Sequence, residues 1–401
     1  MISNLLSMVY FLPANMFFKE IVKEIVVKEK YYCEKCLMPS TNPNILWVDS
    51  NLLEDKINVC QSCQNYEMRQ NIDWKLRQQE FSNLCDKYRR HDGYYDCVIP
   101  VSGGKDSHRL VYTIKNVMGM NPLLVTVGDP FTKTLAGTNN LKNLSDTFGC
   151  DHIQFNINTD LFRRVTKLGF EKFAEPLRFV EAAIYTMPVK MAINYGIKFV
   201  IYGEDSAYEY GGISEERELA NDYIKEVFNN IDIEYWTSNG ISLNDLNSIT
   251  LPDPSSIEKE NMEIVFLSYF YPWSSNVNRN IAVRHGFQDL THEWIREGTI
   301  DNFEQIDSVA YMVNIWLKYP KFGYQRVTDI VGRRIREEEM DVYEGKKMII
   351  KHDHKLDQLA LKDFVDFIGI TTKEFWDIVE DYWNKNIFEK VDEAWRLKNK
   401  L

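Results

Sequence analysis

The segment Ser102-Gly103-Gly104-Lys105-Asp106-Ser107 has the residue types of a phosphate-binding loop. Adjacent glycines let the backbone turn tightly and point successive N–H groups at one spot, and the N-terminus of a following helix adds partial positive charge. The hydroxyls of Ser102 and Ser107 offer further donors to phosphate oxygens. Lys105 could neutralise phosphate charge, with a solvent-facing loop lysine as the competing interpretation. The spacing is not that of a Walker loop, so it predicts a different type of phosphate cradle.

Four cysteines near the N-terminus form two pairs of identical spacing, Cys33 with Cys36 and Cys60 with Cys63. Two such turns can complete a tetrahedral shell of four thiolates, which predicts a structural metal because no coordination position stays open. Zinc suits this shell best, iron is the rival metal, and redox or inert cysteine pairs are the alternative. We expect metal ligands rather than disulfides because no export signal is recognisable. The isolated cysteines are predicted to be buried thiols: Cys85, Cys97 and Cys150.

The length, amino-acid composition and net charge limit the classes of protein to which this chain can belong. The 401 residues suggest two or three domains, and 44% hydrophobic with 26% charged residues exclude a largely disordered chain. With 47 basic and 59 acidic residues the net charge is −12, which disfavours general nucleic-acid binding. The apolar run at residues 5–12 is too short to cross a membrane and lacks the flanks of a signal peptide. We therefore expect a cytoplasmic enzyme with no membrane partner.

The chain divides by pattern into four parts. Residues 1–30 are an N-terminal extension with alternating Lys and Glu, which fits a helix or a strand equally well. Residues 31–92 hold the four-cysteine zinc-binding module and a linker helix. Residues 93–215 alternate between β-rich and helical patterns, and residues 216–401 are predicted to be a mostly helical substrate or partner region. Within the last part, residues 355–398 are predicted to form two or three helices.

The alternating region predicts an α/β fold. Short β-rich runs at residues 94–101, 123–127, 152–157 and 198–202 are separated by helical patterns, with helices expected at about 107–117 and 138–148. Strands separated by helices of this length form a doubly wound parallel sheet, whose ligands lie at the carboxyl ends of the strands. The phosphate loop follows the first strand, and Glu204 and Asp205 follow the fourth.

The hexapeptide resembles the pyrophosphate loop, S-G-G-x-D-S, of the ATP-pyrophosphatase (PP-loop) superfamily, which has a HUP-like fold. Other segments resemble the N-acetyl sugar amidotransferases of bacterial surface-polysaccharide and flagellin sugar biosynthesis, and the resemblance covers roughly residues 31 to 385. These segments are residues 32–43, 73–75, 95–100, 119–123, 202–205, 209–212, 321–329 and 334–336. Residues 323–326 read Gly-Tyr-Gln-Arg where the family pattern has Gly-Phe-Gly-Arg, and residues 1–30 have no recognised counterpart.

The resemblance implies an ATP-dependent conversion of an N-acetyl group on a nucleotide-activated sugar to an acetamidino group, through an O-adenylyl imidate. Lipopolysaccharide and O-antigen sugars are the implied setting. ATP, Mg²⁺ and structural Zn²⁺ are the expected cofactors. The loop residues Ser102, Gly103, Gly104 and Ser107 are expected to stabilise the leaving pyrophosphate.

Further residues are expected to complete this site. Asp106 with Glu204 or Asp205 supplies candidate carboxylates for Mg²⁺, the alternative for the last two being a solvated loop or helix cap. Thr126, in the second strand, is a candidate contact for the nucleotide. Cationic side chains that could clamp phosphates are Lys321 and Arg326, with Arg334 and Arg336 equally explained as a helix surface paired with Glu337–Glu339.

The ammonia source is expected to lie outside this chain. No cysteine follows position 150 and the earlier ones are not flanked by a nucleophile elbow, so a class I glutaminase is not recognisable, and residue 2 is isoleucine where an N-terminal nucleophile glutaminase needs cysteine. The resemblance implies a separate glutaminase subunit and a cyclase-like barrel subunit, similar to those of histidine biosynthesis, that deliver ammonia.

Two alternatives compete with this interpretation. A PP-loop tRNA-modifying enzyme of the thiolation or lysidine type also combines zinc ribbons with this loop, but thiolation requires a catalytic cysteine and the net charge opposes RNA binding. A non-enzymatic zinc-ribbon adaptor has no positive support because both glycines of the loop are present.

Overall fold

The computed structural model describes residues 31–43, 58–204, 231–251, 255–399 and 401. The N-terminal extension, Asp205 and the motif at residues 209–212 lie outside the described residues. Helices and strands are labelled in chain order over the described part of the chain.

A parallel sheet forms the centre of the protein. Within the described residues its strands lie in the order β3-β2-β1-β4-β5, and all neighbouring pairs are parallel. The strands are β1 (Cys97–Pro100), β2 (Pro122–Gly128), β3 (His152–Asn156), β4 (Phe199–Tyr202) and β5 (Glu263–Phe266). The predicted doubly wound α/β sheet is confirmed, and the four predicted strands are present with ends shifted by a few residues.

The fifth strand was not predicted. β5 pairs with β4 from Phe199↔Glu263 to Tyr202↔Phe266, so the sheet continues into the region expected to be mostly helical. Only four residues long and followed at once by a helix, this strand has too little periodicity to be recognised in the sequence.

Helices cover both faces of the sheet. The described helices are α1 (Gln61–Arg69), α2 (Trp74–Tyr88), α3 (Lys105–Tyr112), α4 (Leu135–Phe148), α5 (Thr159–Phe173), α6 (Arg178–Asn194), α7 (Ile233–Ser238), α8 (Ser256–Lys259), α9 (Leu267–Phe270), α10 (Ser275–Arg284), α11 (Tyr311–Trp316), α12 (Lys318–Phe322), α13 (Arg326–Arg336), α14 (Val342–His352), α15 (Gln358–Ile368) and α16 (Thr372–Glu380). A π-helical turn, Thr113–Val117, extends α3. The segment expected to contain a linker helix holds α1 and α2.

Successive residues of the central strands point to opposite faces, as the pleat requires. Ile99 packs with Phe81 and Leu110 of helices α2 and α3 on one face. Val98 packs with Val189 of α6 on the other face. Because both faces are buried, the strands read as continuous apolar runs rather than alternating ones.

The strand order places the switch point of the sheet between β1 and β4. The chain runs outward from β1 to β3 and then returns to β4 on the other side of β1. Ligands of open α/β sheets bind at the carboxyl ends of the strands at this point. The phosphate loop after β1 and Glu204 after β4 lie there.

The C-terminal region packs against α5 and α6 through a large apolar core. Phe170 of α5 stacks on Phe375 of α16, with ring centroids 5.1 Å apart, and Phe364 of α15 contacts both rings. Residues 355–398 contain helices α15 and α16, followed by an antiparallel hairpin of β6 (Phe388–Val391) and β7 (Ala394–Leu397). The expected two helices are therefore present, and a hairpin stands where a third helix was possible.

Two leucines of α15 test this packing. Leu361 is 3% exposed in the shared core, whereas Leu359 is 52% exposed. Leu361→Ala should lower the free energy of unfolding by about 2–5 kcal/mol because it removes buried methyl groups and leaves a cavity. Leu359→Ala should change it by less than about 0.5 kcal/mol. Urea denaturation measures both, and equal effects would contradict the burial of Leu361 in the shared core.

Candidate active site

The phosphate loop has the backbone geometry of an anion cradle. Gly103 has φ +92°, a left-handed conformation, and a Cβ there would lie 2.9 Å from the backbone nitrogen of Leu141. The Ser102 N–H donates to Ser107 Oγ at 3.0 Å, which closes the loop on the first turn of α3. Ser102 is exposed at the cavity. The loop is thus preformed, and the start of α3 lies at the cavity that Ser102 and Gly104 line.

Helix α3 begins at Lys105, with Gly104 as its N-cap, earlier than the predicted start near Ser107. The early start places Lys105, Asp106 and Ser107 in the first turn. Lys105 is buried rather than facing solvent, and its Nζ lies 2.6 Å from Asp106 Oδ2 and 3.2 Å from Glu304 Oε1. The structure therefore favours a role for Lys105 in the site over the loop-surface interpretation.

Glu304 gathers three cations beside the loop. Its carboxylate pairs with Lys105, with Arg333 Nη2 at 2.5 Å and with Arg326 Nη2, and these side chains are at most 9% exposed. Ser275 Oγ donates to the same carboxylate at 2.8 Å. We call Lys105, Glu304, Arg326 and Arg333 the cation cluster. Buried cations of this number need counter-charge, and a phosphate ligand would supply more of it than one carboxylate.

The loop and the cation cluster line one cavity of about 380 Å³. Asp106 and Glu204 line it as well, and Asn278 Nδ2 of α10 donates to Asp106 Oδ1 at 2.7 Å. The structure therefore brings together most of the predicted site residues: Ser102, Gly104, Lys105, Asp106, Ser107, Glu204 and Arg326. Oxygen donors of Asp106 and Glu204 fit the ligand preference of Mg²⁺.

A second cavity of about 750 Å³ adjoins the first, and Ser102, Val127, Ile184, Asp307 and Tyr311 line both. Thr126 lines only this larger cavity. Its hydroxyl donates to Val101 O at 2.6 Å, and the ring of His152 lies 2.9 Å from the same oxygen. The Thr126 hydroxyl thus donates its hydrogen within the sheet. Thr126, a predicted nucleotide contact, is therefore a residue of the cavity wall.

Three of the predicted cations lie elsewhere. Lys321 Nζ contacts Glu175 Oε1 at 3.1 Å and Ala174 O at 3.3 Å, and it lines neither cavity. Arg334 and Arg336 also line neither cavity. A Cβ at Gly332 would lie near both Arg336 Nη1 and Cys36 O, so Arg336 lies on the side of α13 that faces the cysteine module. Arg333, one residue before Arg334, is the arginine that enters the site.

The C-terminal region supplies one wall of both cavities through residues 304–308. This segment is held against the loop after β2. Val309 N–H donates to Thr132 O at 2.9 Å, and the backbones of Lys133 and Ser308 form an antiparallel β-bridge. Sequence reasoning missed Glu304 and Asp307 because no motif surrounds them, and it missed Arg333 because the recognised segment begins one residue later, at Arg334. The only sequence feature that could have indicated this wall of the site is the pair of carboxylates within residues 304–308.

His108, to which no sequence motif assigns a role, supports the loop through its ring. Its Nδ1 lies 3.0 Å from Gly104 O, and its Nε2 lies 3.1 Å from Asn143 Nδ2. Because an amide nitrogen can only donate, Nε2 accepts and Nδ1 carries the proton that is donated to Gly104 O. Burial lowers the pKa of His108 to about 4, so the ring is neutral near pH 7.

The four paired cysteines form a metal-binding arrangement. Cys33, Cys36, Cys60 and Cys63 are buried, and their sulfurs all lie within 4.8 Å of one another. The Cys33–Cys63 and Cys36–Cys60 sulfurs are 3.8 and 3.5 Å apart. Zinc–thiolate bonds of about 2.3 Å give tetrahedral edges of about 3.8 Å, so this shell fits zinc. The isolated cysteines are buried as predicted: Cys85, Cys97 and Cys150.

The cysteine cluster braces helix α13. Its core includes Tyr324, which precedes Arg326, and Leu37 packs on Val327 and Val331. Thr41 Oγ1 donates to the carbonyl oxygen at position 322 at 2.5 Å. The N-terminal module thus holds the helix that carries Arg326 and Arg333.

Residues 297–401 match the family described as LPS biosynthesis protein WbpG-like, C-terminal domain. This part of the chain is therefore similar to that domain. The matched residues include Glu304, Asp307, Arg326 and Arg333, so this part of the chain completes the site. A curated relative, the uncharacterized protein MJ1599 of Methanocaldococcus jannaschii, is 27% identical over 140 residues, or 35% of this chain. The match spans about half of that relative's length (49%).

Several solved structures resemble the chain weakly. They are NMN synthetase from Francisella tularensis (13% identity, 56% of this chain and 100% of that chain, TM-score 0.28), NH3-dependent NAD synthetase from Campylobacter jejuni (12%, 54% and 96%, 0.29) and the U34-tRNA thiolase NcsA from Methanococcus maripaludis (12%, 77% and 88%, 0.31). Scores this low carry no argument about fold or function.

Within the described residues, no helix combines the length and the apolar character needed to cross a membrane.

The two glycines of the loop should respond differently to alanine. Gly103→Ala places a Cβ against the Leu141 backbone at a left-handed φ, and it should lower the free energy of unfolding by about 1–3 kcal/mol. Gly104→Ala meets only Ser102 Oγ at 3.4 Å and should cost about 1 kcal/mol or less. Denaturant unfolding compares the pair, and a larger loss for Gly104→Ala would refute the loop geometry.

Loss of one metal ligand should affect both the N-terminal module and α13. Cys36→Ser is expected to abolish stoichiometric zinc and to lower the melting temperature by roughly 5 °C or more, because metal binding is coupled to folding. Elemental analysis and calorimetry measure these effects. Cys85→Ser, a buried thiol outside the cluster, is the matched control and should retain the metal. A zinc-free Cys36→Ser protein with an unchanged melting temperature would exclude a structural metal.

Proposed function

We propose that this protein is an ATP-pyrophosphatase-type amidotransferase of lipopolysaccharide biosynthesis. It converts an N-acetyl group of a nucleotide-activated sugar to an acetamidino group with ATP and ammonia, and it releases AMP and pyrophosphate. The observation that carries the proposal is the phosphate loop facing Arg326 and Arg333 of a WbpG-like domain across one cavity. ATP and nucleotide sugars are cytoplasmic metabolites, and we place the reaction in the cytoplasm.

The chemistry requires activation of an amide. An amide carbonyl is a poor electrophile and its oxygen is a poor leaving group, so transfer of AMP to that oxygen solves both problems. The loop residues match the charge that develops: backbone N–H groups of Gly103 and Gly104, with the Ser102 and Ser107 hydroxyls, face the departing pyrophosphate. The three cations of the cation cluster neutralise its negative charge once the phosphates compete with Glu304 for them.

Asp106 and Glu204 are the described residues that would hold Mg²⁺. The ion would supply charge neutralisation between the phosphates of ATP. Asn278 orients the Asp106 carboxylate through its 2.7 Å hydrogen bond. The two adjoining cavities provide space for ATP and a nucleotide sugar to be bound together, which the reaction requires.

Ammonia is proposed to come from a separate glutaminase subunit acting with a cyclase-like barrel subunit. The cysteines of this chain are buried, which supports the view that none of them is a glutaminase nucleophile.

The tRNA-thiolase alternative has one supporting feature, since Cys150 lines the larger cavity. However, burial raises the pKa of the Cys150 thiol to about 11. Sulfur transfer needs a thiolate, and at neutral pH this cysteine is protonated. The acidic net charge also opposes tRNA binding. We therefore favour the sugar amidotransferase.

The test is release of AMP and pyrophosphate from ATP with Mg²⁺ and ammonium, with and without UDP- or CMP-linked diacetamido sugars. We expect release to depend on the sugar, and mass spectrometry should show one oxygen of the sugar replaced by NH. Release that is stimulated by bulk tRNA instead of any sugar would establish the alternative.

Neighbouring arginines of α13 provide a matched pair for the same assay. Arg333→Gln should lower kcat/KM for ATP by about tenfold or more, because it removes a charged hydrogen-bond donor from the cavity. Arg334→Gln should leave it nearly unchanged, since Arg334 lines neither cavity. Equal losses of kcat/KM in the two variants would contradict the assignment of the cation cluster to the proposed phosphate site.

A further inference from the structure

Four carboxylates lie around Tyr311, a residue that lines both cavities. Asp307 lines both cavities, Glu204 lines the smaller one, and Asp129 and Glu181 line the larger one. We call these residues the carboxylate ring. Burial raises the pKa of the Tyr311 hydroxyl, and all four carboxylates raise it further by their negative charge. The carboxylate ring thus acts together on the Tyr311 hydroxyl, and its negative charge favours a cation near that residue.

Asp307 differs from the other carboxylates of the site. Among the described residues, its buried Oδ1 has no hydrogen-bond partner. Asp129 Oδ2 contacts Lys133 Nζ at 2.5 Å, and its Oδ1 accepts from Phe131 N–H at 3.1 Å. Asp106 and Glu304 are engaged by the loop and the cation cluster. A buried carboxylate oxygen without a partner is costly, and a polar ligand at the junction would satisfy it.

The backbone of this segment is strained between the two carboxylates. Gln305 has φ +45°, a left-handed conformation that costs a non-glycine residue on the order of 1 kcal/mol. It lies between Glu304, which faces the cation cluster, and Asp307, which faces the junction. Strain of this kind persists where the surrounding structure requires it, and it accompanies functional arrangements.

We propose that Asp307 binds the incoming ammonium ion at the cavity junction and accepts one of its protons, which delivers ammonia to the activated substrate. This inference rests on the proposed function, since it assigns the nucleophile step of that reaction. The ligand class is a small nitrogen cation, attracted by the carboxylate ring.

Atoms and charge balance in this step. Ammonium gives one proton to the Asp307 carboxylate and becomes ammonia. The nitrogen lone pair forms a bond to the imidate carbon, the C–O bond to AMP breaks, and AMP leaves with that electron pair. A proton moves from the new nitrogen to the sugar nitrogen, so the product is an amidinium ion. Asp307 returns its proton to solvent before the next turnover.

The environment of Asp307 suits a proton acceptor. Burial raises the pKa of Asp307 to about 7, with Lys133 lowering it and Asp129 raising it. Glu181 lines the larger cavity and Glu204 lines the smaller one, and both act on the Tyr311 hydroxyl. A base whose pKa lies near the working pH is both available and strong enough to take a proton.

The experiment compares two nucleophiles in the Asp307→Asn variant of the full chain. Ammonia is almost wholly protonated at neutral pH, whereas hydroxylamine is neutral and needs no base to become a nucleophile. We expect Asp307→Asn to lower kcat/KM for ammonium about 100-fold or more while turnover with hydroxylamine changes little. Sugar-dependent exchange of pyrophosphate into ATP, which precedes the nucleophile step, should also persist.

Asp160→Asn, on the exposed surface of α5, is the control and should resemble the wild type with both nucleophiles. Equal loss with ammonium and hydroxylamine, or loss of the exchange reaction, would overturn the proposal in favour of an ATP-binding or structural role. Wild-type rates with ammonium would overturn it as well. If Asp307→Asn does not fold, Asp307→Glu is tested instead. It should change the ratio of the rates with ammonium and hydroxylamine relative to the wild type, and an unchanged ratio would refute the role.

These outcomes are separable from failure of the proposed function. If the wild-type protein shows no sugar-dependent exchange or AMP release, the proposed function fails before the Asp307 variants are compared. If the wild type is active and only the nucleophile comparison disagrees, the inference about Asp307 fails alone.

Discussion

The buried carboxylate of Glu304 is the interaction that sets the arrangement of the site. Lys105 comes from the start of α3, and Arg326 and Arg333 come from α13, yet all three pair with this one carboxylate and are at most 9% exposed. Without a shared anion these cations would repel one another in a poorly solvated space. Glu304 thereby holds them beside the phosphate loop in the absence of ligand. A triphosphate can then exchange one set of charged hydrogen bonds for another.

This constraint also explains why distant parts of the chain must be assembled together. The loop belongs to the sheet, the arginines belong to the C-terminal part that is similar to the WbpG-like domain, and the helix that carries them is braced by the N-terminal cysteine cluster. A metal in that cluster would act on the site only through packing, because Leu37 and Tyr324 join it to the helix rather than to the cavity. The cavities are consequently composite, and neither the sheet nor the C-terminal domain alone contains a complete phosphate site.

Local signals account for what was predictable. The glycine pair after a buried strand predicts an anion cradle because glycine accepts the left-handed turn at residue 103 without a steric cost. Paired cysteines predict a four-sulfur shell because each pair, three positions apart in a short turn, can direct both sulfurs at one metal ion. Central strands are recognisable as apolar runs. β5 was missed because a strand of four residues followed by a helix is too short to show a hydrophobic periodicity. Arg326 was identified through its neighbouring motif, but Lys321 in the same segment pairs with Glu175 instead.

Residues that lie close together in the chain were enough to predict the class of the sheet, the phosphate loop, the candidate metal ligands and one of the two arginines. Which distant charges meet was decided by the tertiary structure. Arg333 rather than Arg334 enters the cavity because the rotation of α13 is set by its packing on Leu37. Glu304 reaches the cation cluster and Asp307 reaches both cavities because residues 304–308 are held against the loop after β2. Contacts between residues far apart in the chain arise from packing and leave no local pattern in the sequence.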